Sequence, residues 1–190
     1  MKKKILISTG GSGGHVIPAT IFYEHLKNKF DVFFTVDKRG AKFLNLEKYN
    51  VTIIDTPKLT NNFFLLPLNF FGFFFSIIKS IILFKKNKID ILISTGGYMS
   101  LPFCITAKIL NIKIYLFEPN MVLGRANNFF LKYFKKIFCY SNEIINFPLK
   151  YMNRILLINP LLRKEFYSIV PNNKEAINKE ITFFNIGSVP

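Results

Sequence analysis

The sequence predicts an α/β fold in which a parallel β-sheet carries helices on both faces. Short apolar runs rich in isoleucine alternate with helix-like stretches, which is typical of β-α-β units with right-handed crossovers. The run at residues 4–8 has three consecutive apolar residues, Ile5, Leu6 and Ile7, as in a strand buried on both faces. The runs at 4–8 and 89–94 both lead into paired glycines and then a proline, which indicates sharp turns between a strand and a helix.

The same patterns place the individual elements. Strands are predicted at residues 4–8, 31–35, 51–55, 89–94, 112–117, 136–140, 154–158 and 181–186, and helices at residues 19–29 and 41–48. Pro18 is expected in the first turn of its helix, where its missing N–H would have had no helical partner. The polar stretch at 171–175 has the composition of an interdomain linker. We therefore expect a domain over residues 1–165, a linker over 166–180 and the start of a second domain at 181–190.

The composition is that of a folded and strongly basic protein. Half of the 190 residues are hydrophobic and 19% are charged, so the chain can bury a core. The formal net charge of +15 predicts an anionic partner: nucleic acid, a phosphate-bearing substrate or an acidic lipid surface. The abundance of lysine, isoleucine, phenylalanine and asparagine is equally typical of an AT-rich genome. No nucleic-acid-binding motif accompanies the charge, which argues against nucleic acid as the partner.

The two cysteines and the N-terminus indicate a reducing compartment. Cys104 and Cys139 lie in separate apolar contexts without the spacing of a metal site, so we expect buried thiols and no metal. Residues 1–4 are basic like the start of a signal peptide, but the apolar run that follows is too short for one. The chain is therefore expected to stay in the cytoplasm.

The first glycine-rich loop, Gly10-Gly11-Ser12-Gly13-Gly14, is followed by His15 and Pro18. A strand, a glycine turn and a helix start in succession form a place where phosphate is readily held. His15 stands where a P-loop needs lysine, and the glycine spacing does not match a dinucleotide fingerprint. His15 is the candidate general base because a neutral imidazole accepts a proton, and a structural histidine is the alternative.

The second loop follows the strand at 89–94. Gly96 and Gly97 would let backbone N–H groups approach a diphosphate or a sugar, and Tyr98 could stack on a ligand or hydrogen-bond to it. Ser100 and Pro102 follow at a predicted helix start. Because ligands of parallel sheets bind at the carboxyl ends of the strands, this loop and the first are expected to share one site.

The third loop follows the strand at 112–117 and contains Glu118 and Asn120. A carboxylate and an amide at a strand end can hydrogen-bond sugar hydroxyls and amides. Asn127 is expected to cap the next helix. Arg163 is the best phosphate-binding candidate in this part of the chain, because its planar guanidinium pairs with phosphate oxygens, and the alternative is a surface arginine at a helix start.

Residues 63–84 interrupt the alternation with eight phenylalanines and a single charge, Lys79. The segment is long enough to span a bilayer, although Pro67, Gly72 and Lys79 make it a poor span. A buried core helix is the second reading. The third is an interfacial element whose apolar residues enter the membrane while lysines meet anionic headgroups. The residues expected to act in this way are Phe70, Phe71, Phe74, Ile78, Lys79, Lys85 and Lys86.

These motifs resemble those of the MurG family of glycosyltransferases. The run from Gly10 to Ala19 is similar to the family's N-terminal signature, and the second loop is similar to its G-G-Y-x-S-x-P motif. Residues 117–120 read F-E-P-N where the family has H-E-Q-N, so Glu118 and Asn120 match while their neighbours depart. Residues 159–163 resemble the family's G-N-P-[VI]-R, with the arginine one residue late.

The resemblance implies a Rossmann-like N-terminal domain of a GT-B glycosyltransferase that transfers N-acetylglucosamine from UDP-GlcNAc to lipid I, forming lipid II. His15 would take the proton from the muramic C4 hydroxyl, and neither a cofactor nor a metal is implied. The implied donor-binding residues are Ser12, Gly13, Gly14, Asn120 and Arg163. The implied acceptor-binding residues are Gly10, Gly11, Gly96, Gly97, Tyr98, Ser100, Glu118 and Asn127.

The resemblance covers the whole chain but only the N-terminal half of such an enzyme. The family's second domain holds most of the uridine pocket and begins with G-G-S-Q-G, of which only Gly187-Ser188 is matched here. We therefore expect an incomplete form that transfers sugar poorly by itself. The alternative is a noncatalytic membrane-anchoring subunit that recruits a separate donor-binding half. In both cases we expect a peripheral protein at the cytoplasmic face of the bacterial plasma membrane, with an anionic surface as a partner.

Overall fold

The computed structural model describes residues 2–57 and 66–160. Within these ranges the chain forms a seven-stranded sheet, five α-helices and three 3-10 turns. The strands are β1 (Lys4–Ser8), β2 (Asp31–Val36), β3 (Val51–Ile53), β4 (Ile91–Ser94), β5 (Lys113–Glu118), β6 (Phe134–Cys139) and β7 (Ile155–Leu157). The helices are α1 (Gly13–Leu26), α2 (Lys38–Ala41), α3 (Leu66–Asn87), α4 (Leu101–Ile109) and α5 (Arg125–Phe130). The 3-10 turns are Tyr98–Ser100, Leu131–Tyr133 and Leu149–Arg154.

All strand pairs of the sheet are parallel, in the order β3-β2-β1-β4-β5-β6-β7. The chain builds outward from β1 to β3, then returns to the other side of β1 and builds outward again from β4 to β7. The winding direction therefore reverses between β1 and β4, and ligands of open α/β sheets bind beside such a reversal, at the carboxyl ends of the strands. The predicted parallel sheet is confirmed.

The sheet is covered on both faces. Leu6 of β1 is fully buried in a cluster with the side chains of α3 and α4, whereas its neighbours Ile5 and Ile7 are buried on the opposite face against α1. Side chains alternate along a strand, so a continuous apolar run is needed to supply both cores. Each such side chain contributes on the order of 2 kcal/mol through its removal from water.

The strand predictions are confirmed to within two residues at each end for the seven strands from β1 to β7. The helix predictions were less accurate. Helix α1 begins at Gly13, where the Ser12 carbonyl accepts bonds from the N–H groups of His15 and Val16, and it ends at Leu26. Pro18 therefore lies inside the helix and not in its first turn, and the carbonyl of Gly14 lacks the donor that another residue at position 18 would supply.

The helix predicted at residues 41–48 was wrong. Helix α2 covers only Lys38–Ala41. In the turns that follow it, the side chain of Asn45 accepts hydrogen bonds from the backbone N–H groups of Glu47 and Lys48 at 3.1 and 3.3 Å. Such local side-chain bonds favour turns over a continued helix. The predicted linker at 166–180, the strand at 181–186 and the domain boundary at 165 lie outside the described residues.

Helix α3 has one buried and one exposed face. Ser76, Ser80, Leu83 and Phe84 are buried, and the hydroxyl of Ser76 donates to the carbonyl of Asp55 at 2.9 Å. The opposite side, called here the outer face of α3, carries large apolar side chains that are between 38% and 71% exposed: Phe70, Phe71, Phe74, Phe75, Ile78 and Ile82. The exposure of six large apolar residues contradicts the reading of this segment as a plain buried core helix.

No helix within residues 2–57 and 66–160 combines the length and the apolar character needed to cross a bilayer.

Candidate active site

The first two glycine-rich loops meet where β1 and β4 end side by side. Thr9 and Thr95 follow these strands, both are buried, and the hydroxyl of Thr95 donates to the hydroxyl of Thr9 at 2.8 Å. The backbone N–H of Thr95 also bonds to the carbonyl of Ser8 at 3.0 Å. The two loops therefore start from a fixed common origin at the reversal point of the sheet.

His15 joins the two loops directly. It is the third residue of α1, and its Nδ1 lies 2.9 Å from the carbonyl oxygen of Thr95. A carbonyl only accepts hydrogen bonds, so Nδ1 carries a proton, and in the neutral form of the ring the lone pair is on Nε2. Nε2 faces Gly97 and lies 3.9 Å from the point that a Cβ atom on that glycine would occupy. Nε2 is therefore the ring nitrogen that does not bond to Thr95, and it lies on the side of Gly97.

Asp37 holds the first glycine-rich loop in place. One carboxylate oxygen accepts bonds from the N–H groups of Gly11 and Gly40 at 2.8 and 2.9 Å, and the other accepts from Nε of Arg39 at 2.9 Å. Burial by itself would raise the pKa of Asp37, but these three hydrogen bonds outweigh it and lower the pKa. A Cβ atom on Gly10 would lie only 2.7 Å from the carboxylate, so the loop needs glycine there to approach Asp37.

Glu118 organises the third loop. It is almost completely buried at the end of β5, and one carboxylate oxygen accepts from the side-chain amide of Asn120 at 2.9 Å. The other oxygen accepts from the side-chain amide of Asn127 at 2.6 Å. Asn127 was expected to cap α5, but Gly124 is the cap residue and the Asn127 side chain turns inward to Glu118. Glu118 therefore fixes the orientation of two amides.

Gly96 gives Asn127 the space it occupies. Its φ of +85° is a backbone conformation that favours glycine, and a Cβ atom at this position would lie 2.6 Å from Nδ2 of Asn127. The second loop and the third loop are thus packed against each other through a glycine and an amide. Together with the His15 contact, this arrangement links all three loops.

A cavity of about 750 Å³ opens beside the linked loops. Its polar part is formed by His15, Gly97, Glu118, Asn120 and Asn127, and Arg125 and Tyr98 also contribute to it. The remaining wall is mostly apolar and comes from α3, α4 and α5 and the loop before α5: Phe73, Leu101, Ile105, Val122, Phe129 and Phe130. The cavity therefore combines a hydrogen-bonding end with an apolar end.

The structure brings six of the sequence-predicted site residues to this cavity: His15, Gly97, Tyr98, Glu118, Asn120 and Asn127. Gly10, Gly11 and Ser12 form the adjoining loop, Gly13 and Gly14 begin α1, and none of these five residues lines the cavity. Ser100 is buried and donates its hydroxyl proton to the carbonyl of Gly97 at 2.8 Å, so it shapes the loop from behind. Arg163 lies outside the described residues.

Several site residues were not found from the sequence. Asp37 follows β2 at the same edge of the sheet, and this position after a strand was the available signal. Arg125 lies two residues before Asn127, and only the asparagine was predicted. No sequence signal connects Phe73 with Phe129, because α3 and α5 come together only through the fold.

The cysteines lie behind the site. Burial raises the pKa of the Cys104 thiol to about 12 despite hydrogen bonds with Ser94 and Ser100. Burial, with a smaller contribution from the negative charge of Glu118, raises the pKa of the Cys139 thiol to about 12. Both are free and buried, which confirms the predicted structural thiols. In the described part of the chain, no group of three or more potential metal ligands comes together.

Comparison with known proteins decides the family. Residues 5–139 match the model of the glycosyltransferase family 28 N-terminal domain. The chain belongs to glycosyltransferase family 28. The matched range runs from β1 to the end of β6, so this family 28 domain includes the three loops and the cavity described above.

The relatives of this family 28 chain support the resemblance to the MurG family. A UDP-N-acetylglucosamine–N-acetylmuramyl-(pentapeptide) pyrophosphoryl-undecaprenol N-acetylglucosamine transferase from Pelagibacter ubique (strain HTCC1062) is 59% identical over 186 residues, which are 98% of this chain and 51% of that protein. The transferase of the same name from Rickettsia canadensis (strain McKiel) is 30% identical over 97% of this chain and 52% of its own length. The chain thus spans about half the length of the curated relatives it matches.

Solved structures confirm the predicted fold. Acinetobacter baumannii MurG superimposes with a TM-score of 0.69 at 20% identity, over 90% of this chain and 50% of the MurG chain. The UDP-GlcNAc 2-epimerase of Neisseria meningitidis, solved with UDP-GlcNAc, gives 0.57 at 13% identity, over 81% of this chain and 45% of its own. The identification of the sequence as the N-terminal half of a MurG-like protein, with a Rossmann-like GT-B domain, is confirmed.

Proposed function

We propose that this chain is the acceptor-binding half of an enzyme that transfers N-acetylglucosamine from UDP-GlcNAc to lipid I, an undecaprenyl-diphospho-N-acetylmuramyl pentapeptide. The Pelagibacter relative is 59% identical to this chain, is about twice as long, and is named for this reaction. The observation that carries the proposal is the His15–Thr95 hydrogen bond, because it leaves Nε2 of His15 as a proton acceptor at the edge of the cavity.

In the proposed reaction the C4 hydroxyl of the muramyl residue attacks the anomeric carbon of N-acetylglucosamine. A bond forms between that oxygen and the anomeric carbon, the bond to the diphosphate breaks, and UDP leaves. Nε2 of His15 takes the proton from the hydroxyl as the new bond forms. General-base assistance of this kind contributes about 10²- to 10⁴-fold to a rate.

The surrounding residues support binding and orientation. Asn120 and Asn127, oriented by Glu118, present amide groups toward sugar hydroxyls and the acetamido group. The first N–H groups of α1 have no partner within the helix, and the positive end of the helix favours an anion there. The first glycine-rich loop is therefore assigned to the diphosphate of the acceptor, with Ser12, Gly13 and Gly14 also contacting the donor.

The outer face of α3 supports a peripheral position on the cytoplasmic face of the bacterial plasma membrane. Six exposed apolar side chains on one helix face form a surface that water solvates poorly. Lys79, Lys85 and Lys86 on the same helix are exposed and can meet anionic headgroups. The helix would lie in the interface with its outer face in the lipid.

A chimera tests the proposed function. The aligned region of this chain replaces the corresponding half of the Pelagibacter relative, and transfer of labelled N-acetylglucosamine to a lipid I analogue is measured. We expect transfer that depends on both UDP-GlcNAc and the lipid I analogue. Absence of transfer in a folded chimera, while the parent Pelagibacter enzyme is active, would contradict the proposal.

The same assay separates the enzyme half from a noncatalytic anchor. Here the two halves are supplied as separate polypeptides, with and without the His15→Ala substitution in this chain. Activity that depends on His15 supports a catalytic half, whereas activity that the substitution leaves unchanged supports an anchoring subunit.

A further inference from the structure

The apolar end of the cavity has no role in the proposed sugar transfer. Phe73, Leu101, Ile105, Phe129 and Phe130 form it, and none of these side chains can hydrogen-bond to a sugar. A disaccharide or a peptide would leave polar groups without partners against such a wall, at a cost in binding free energy. The chemistry of the wall therefore fits a hydrocarbon.

The apolar wall continues into the outer face of α3. Phe70 lies one helical turn before Phe73 and Phe74, so its side chain neighbours both on the helix surface. Phe73 lines the cavity, whereas Phe70 and Phe74 are 64% and 56% exposed. An apolar path thus leads from inside the cavity to the surface proposed to meet the membrane.

The opposite side of the cavity contributes a second aromatic pair. Phe129 and Phe130 are in edge-to-face contact, with ring centroids 5.2 Å apart. Phe130 is buried in the core, whereas Phe129 is 72% exposed. Phe130 thereby supports Phe129, which extends the apolar wall on the α5 side.

The polar end of the same cavity is suited to the charged head of an amphiphile. Arg125 is an exposed cation at the first position of α5 and lines the cavity together with His15. A guanidinium pairs with diphosphate oxygens through two parallel hydrogen bonds. One cavity therefore offers a cation for a diphosphate and an aromatic wall for a chain attached to it.

From these observations we propose that the apolar end of the cavity is a subsite for the first isoprene units of a polyprenyl diphosphate. The chain enters along Phe70 and Phe73 and lies against Ile105 and Phe129, while the diphosphate that the first glycine-rich loop holds also contacts Arg125. This inference rests on the proposed function for the identity of the acceptor. It adds that part of the lipid leaves the bilayer and is held by the protein.

Two soluble probes test the subsite with the 190-residue chain. Farnesyl diphosphate and dimethylallyl diphosphate share the same head and differ by two isoprene units, and their dissociation constants are compared by calorimetry. Burial of even part of the longer chain should make farnesyl diphosphate bind at least about tenfold more tightly. Equal affinity of the two probes would overturn the subsite.

Matched substitutions locate the binding. Phe129→Ser and Phe71→Ser change residues of nearly equal exposure, 72% and 71%, but only Phe129 lines the cavity. Phe129→Ser should bring the affinity ratio of the two probes close to one, whereas Phe71→Ser should preserve it. The opposite pattern would place the hydrocarbon on the outer face of α3 and overturn the proposal. Ile105→Ser provides a second variant inside the cavity, with the same expectation as Phe129→Ser.

Arg125→Gln separates the head from the chain. This variant should weaken the binding of both probes by a similar factor and leave their ratio unchanged, and a changed ratio with unchanged dimethylallyl affinity would contradict the assignment of Arg125. The chimera assay is read independently. If the chimera transfers sugar but the two probes bind with equal affinity, only the subsite is contradicted. If farnesyl diphosphate binds more tightly but a folded chimera transfers no sugar, the proposed reaction is contradicted and the subsite is retained.

Discussion

Two surfaces of this molecule differ in how their side chains are partnered. At the carboxyl ends of β1, β4 and β5, the polar groups of the loops are bonded to one another: His15 to Thr95, Asp37 to Gly11, and Glu118 to two asparagines. On the outer face of α3, six large apolar side chains are between 38% and 71% exposed to solvent. The first surface holds its geometry by itself. The contrast matches what the proposed active site and the proposed membrane-binding surface each require.

The largest effect should come from His15, the proposed base. His15→Ala in the chimera should lower kcat by about 10²- to 10⁴-fold, because the attacking hydroxyl loses its proton acceptor, while KM for both substrates changes little. The measurement is steady-state transfer of N-acetylglucosamine. His25→Ala is the matched control, since His25 lies at the other end of α1 and should leave kcat unchanged. Near-normal turnover of His15→Ala would remove this histidine from the mechanism.

The brace of the first loop should have the next largest effect. Asp37→Asn leaves buried N–H donors with poorer partners, so the free energy of unfolding at neutral pH should fall by about 1–3 kcal/mol. Denaturant unfolding of the 190-residue chain measures it. Asp31→Asn, an exposed aspartate at the start of the same strand, should change stability by less than about 0.5 kcal/mol.

The same aspartate predicts a pH dependence. The pKa of Asp37 is lower in the folded chain than its ordinary value, so its stabilising contribution is complete above about pH 5 and is lost as the pH falls through and below about 4. Asp37→Asn should therefore flatten the acid side of the curve of stability against pH. An acid limb identical to that of the parent chain would show that another carboxyl group causes the loss.

On the outer face of α3, Phe71→Ser should weaken binding to vesicles that contain anionic lipid. Loss of one phenylalanine that enters the lipid removes about 1.5–3 kcal/mol of membrane-binding free energy. This corresponds to at least about a tenfold lower partition coefficient in a sedimentation assay. Leu149→Ser is the control, because Leu149 is 86% exposed and lies on the 3-10 turn before β7, away from α3. Equal losses for both variants would indicate nonspecific adsorption.

The smallest effect distinguishes backbone strain from contact in the second loop. Gly97→Ala has only the strain of a positive φ, about 1–2 kcal/mol, because its nearest neighbour is 3.8 Å away. Gly96→Ala has similar strain and in addition displaces the Asn127 side chain from Glu118. Its unfolding free energy should therefore be lower than that of Gly97→Ala by about a further 1–2 kcal/mol, measured by denaturant unfolding.

The parts of the fold that the sequence predicted are those with a short-range signal. Strands such as β1 and β5 are local apolar runs with glycine or polar residues at their ends, and parallel pairing brought their following loops to one edge. Helix boundaries were predicted less well. Pro18 is tolerated inside α1, and the side chain of Asn45 bonds to the backbone in the turns that follow α2.

The candidate site divides in the same way. His15, Gly97 and Asn120 could be found because each follows a strand. Asp37 also follows a strand, but its partner Gly11 lies on the loop of another strand. The role of Asn127 was misjudged because its partner, Glu118, belongs to a different element. The apolar wall was out of reach, because Phe73 and Phe129 become neighbours of one cavity only after α3 and α5 have packed on the sheet.

The partner of His15 is a main-chain oxygen, and this has an evolutionary consequence. Every amino acid at position 95 carries the same carbonyl, so mutation of that residue changes the hydroxyl bond to Thr9 but not the chemical group that sets the proton on the imidazole. An aspartate in that role could be lost through a single codon change. The orientation of the base is instead inherited with the path of the chain after β4, and it persists as long as the sheet does.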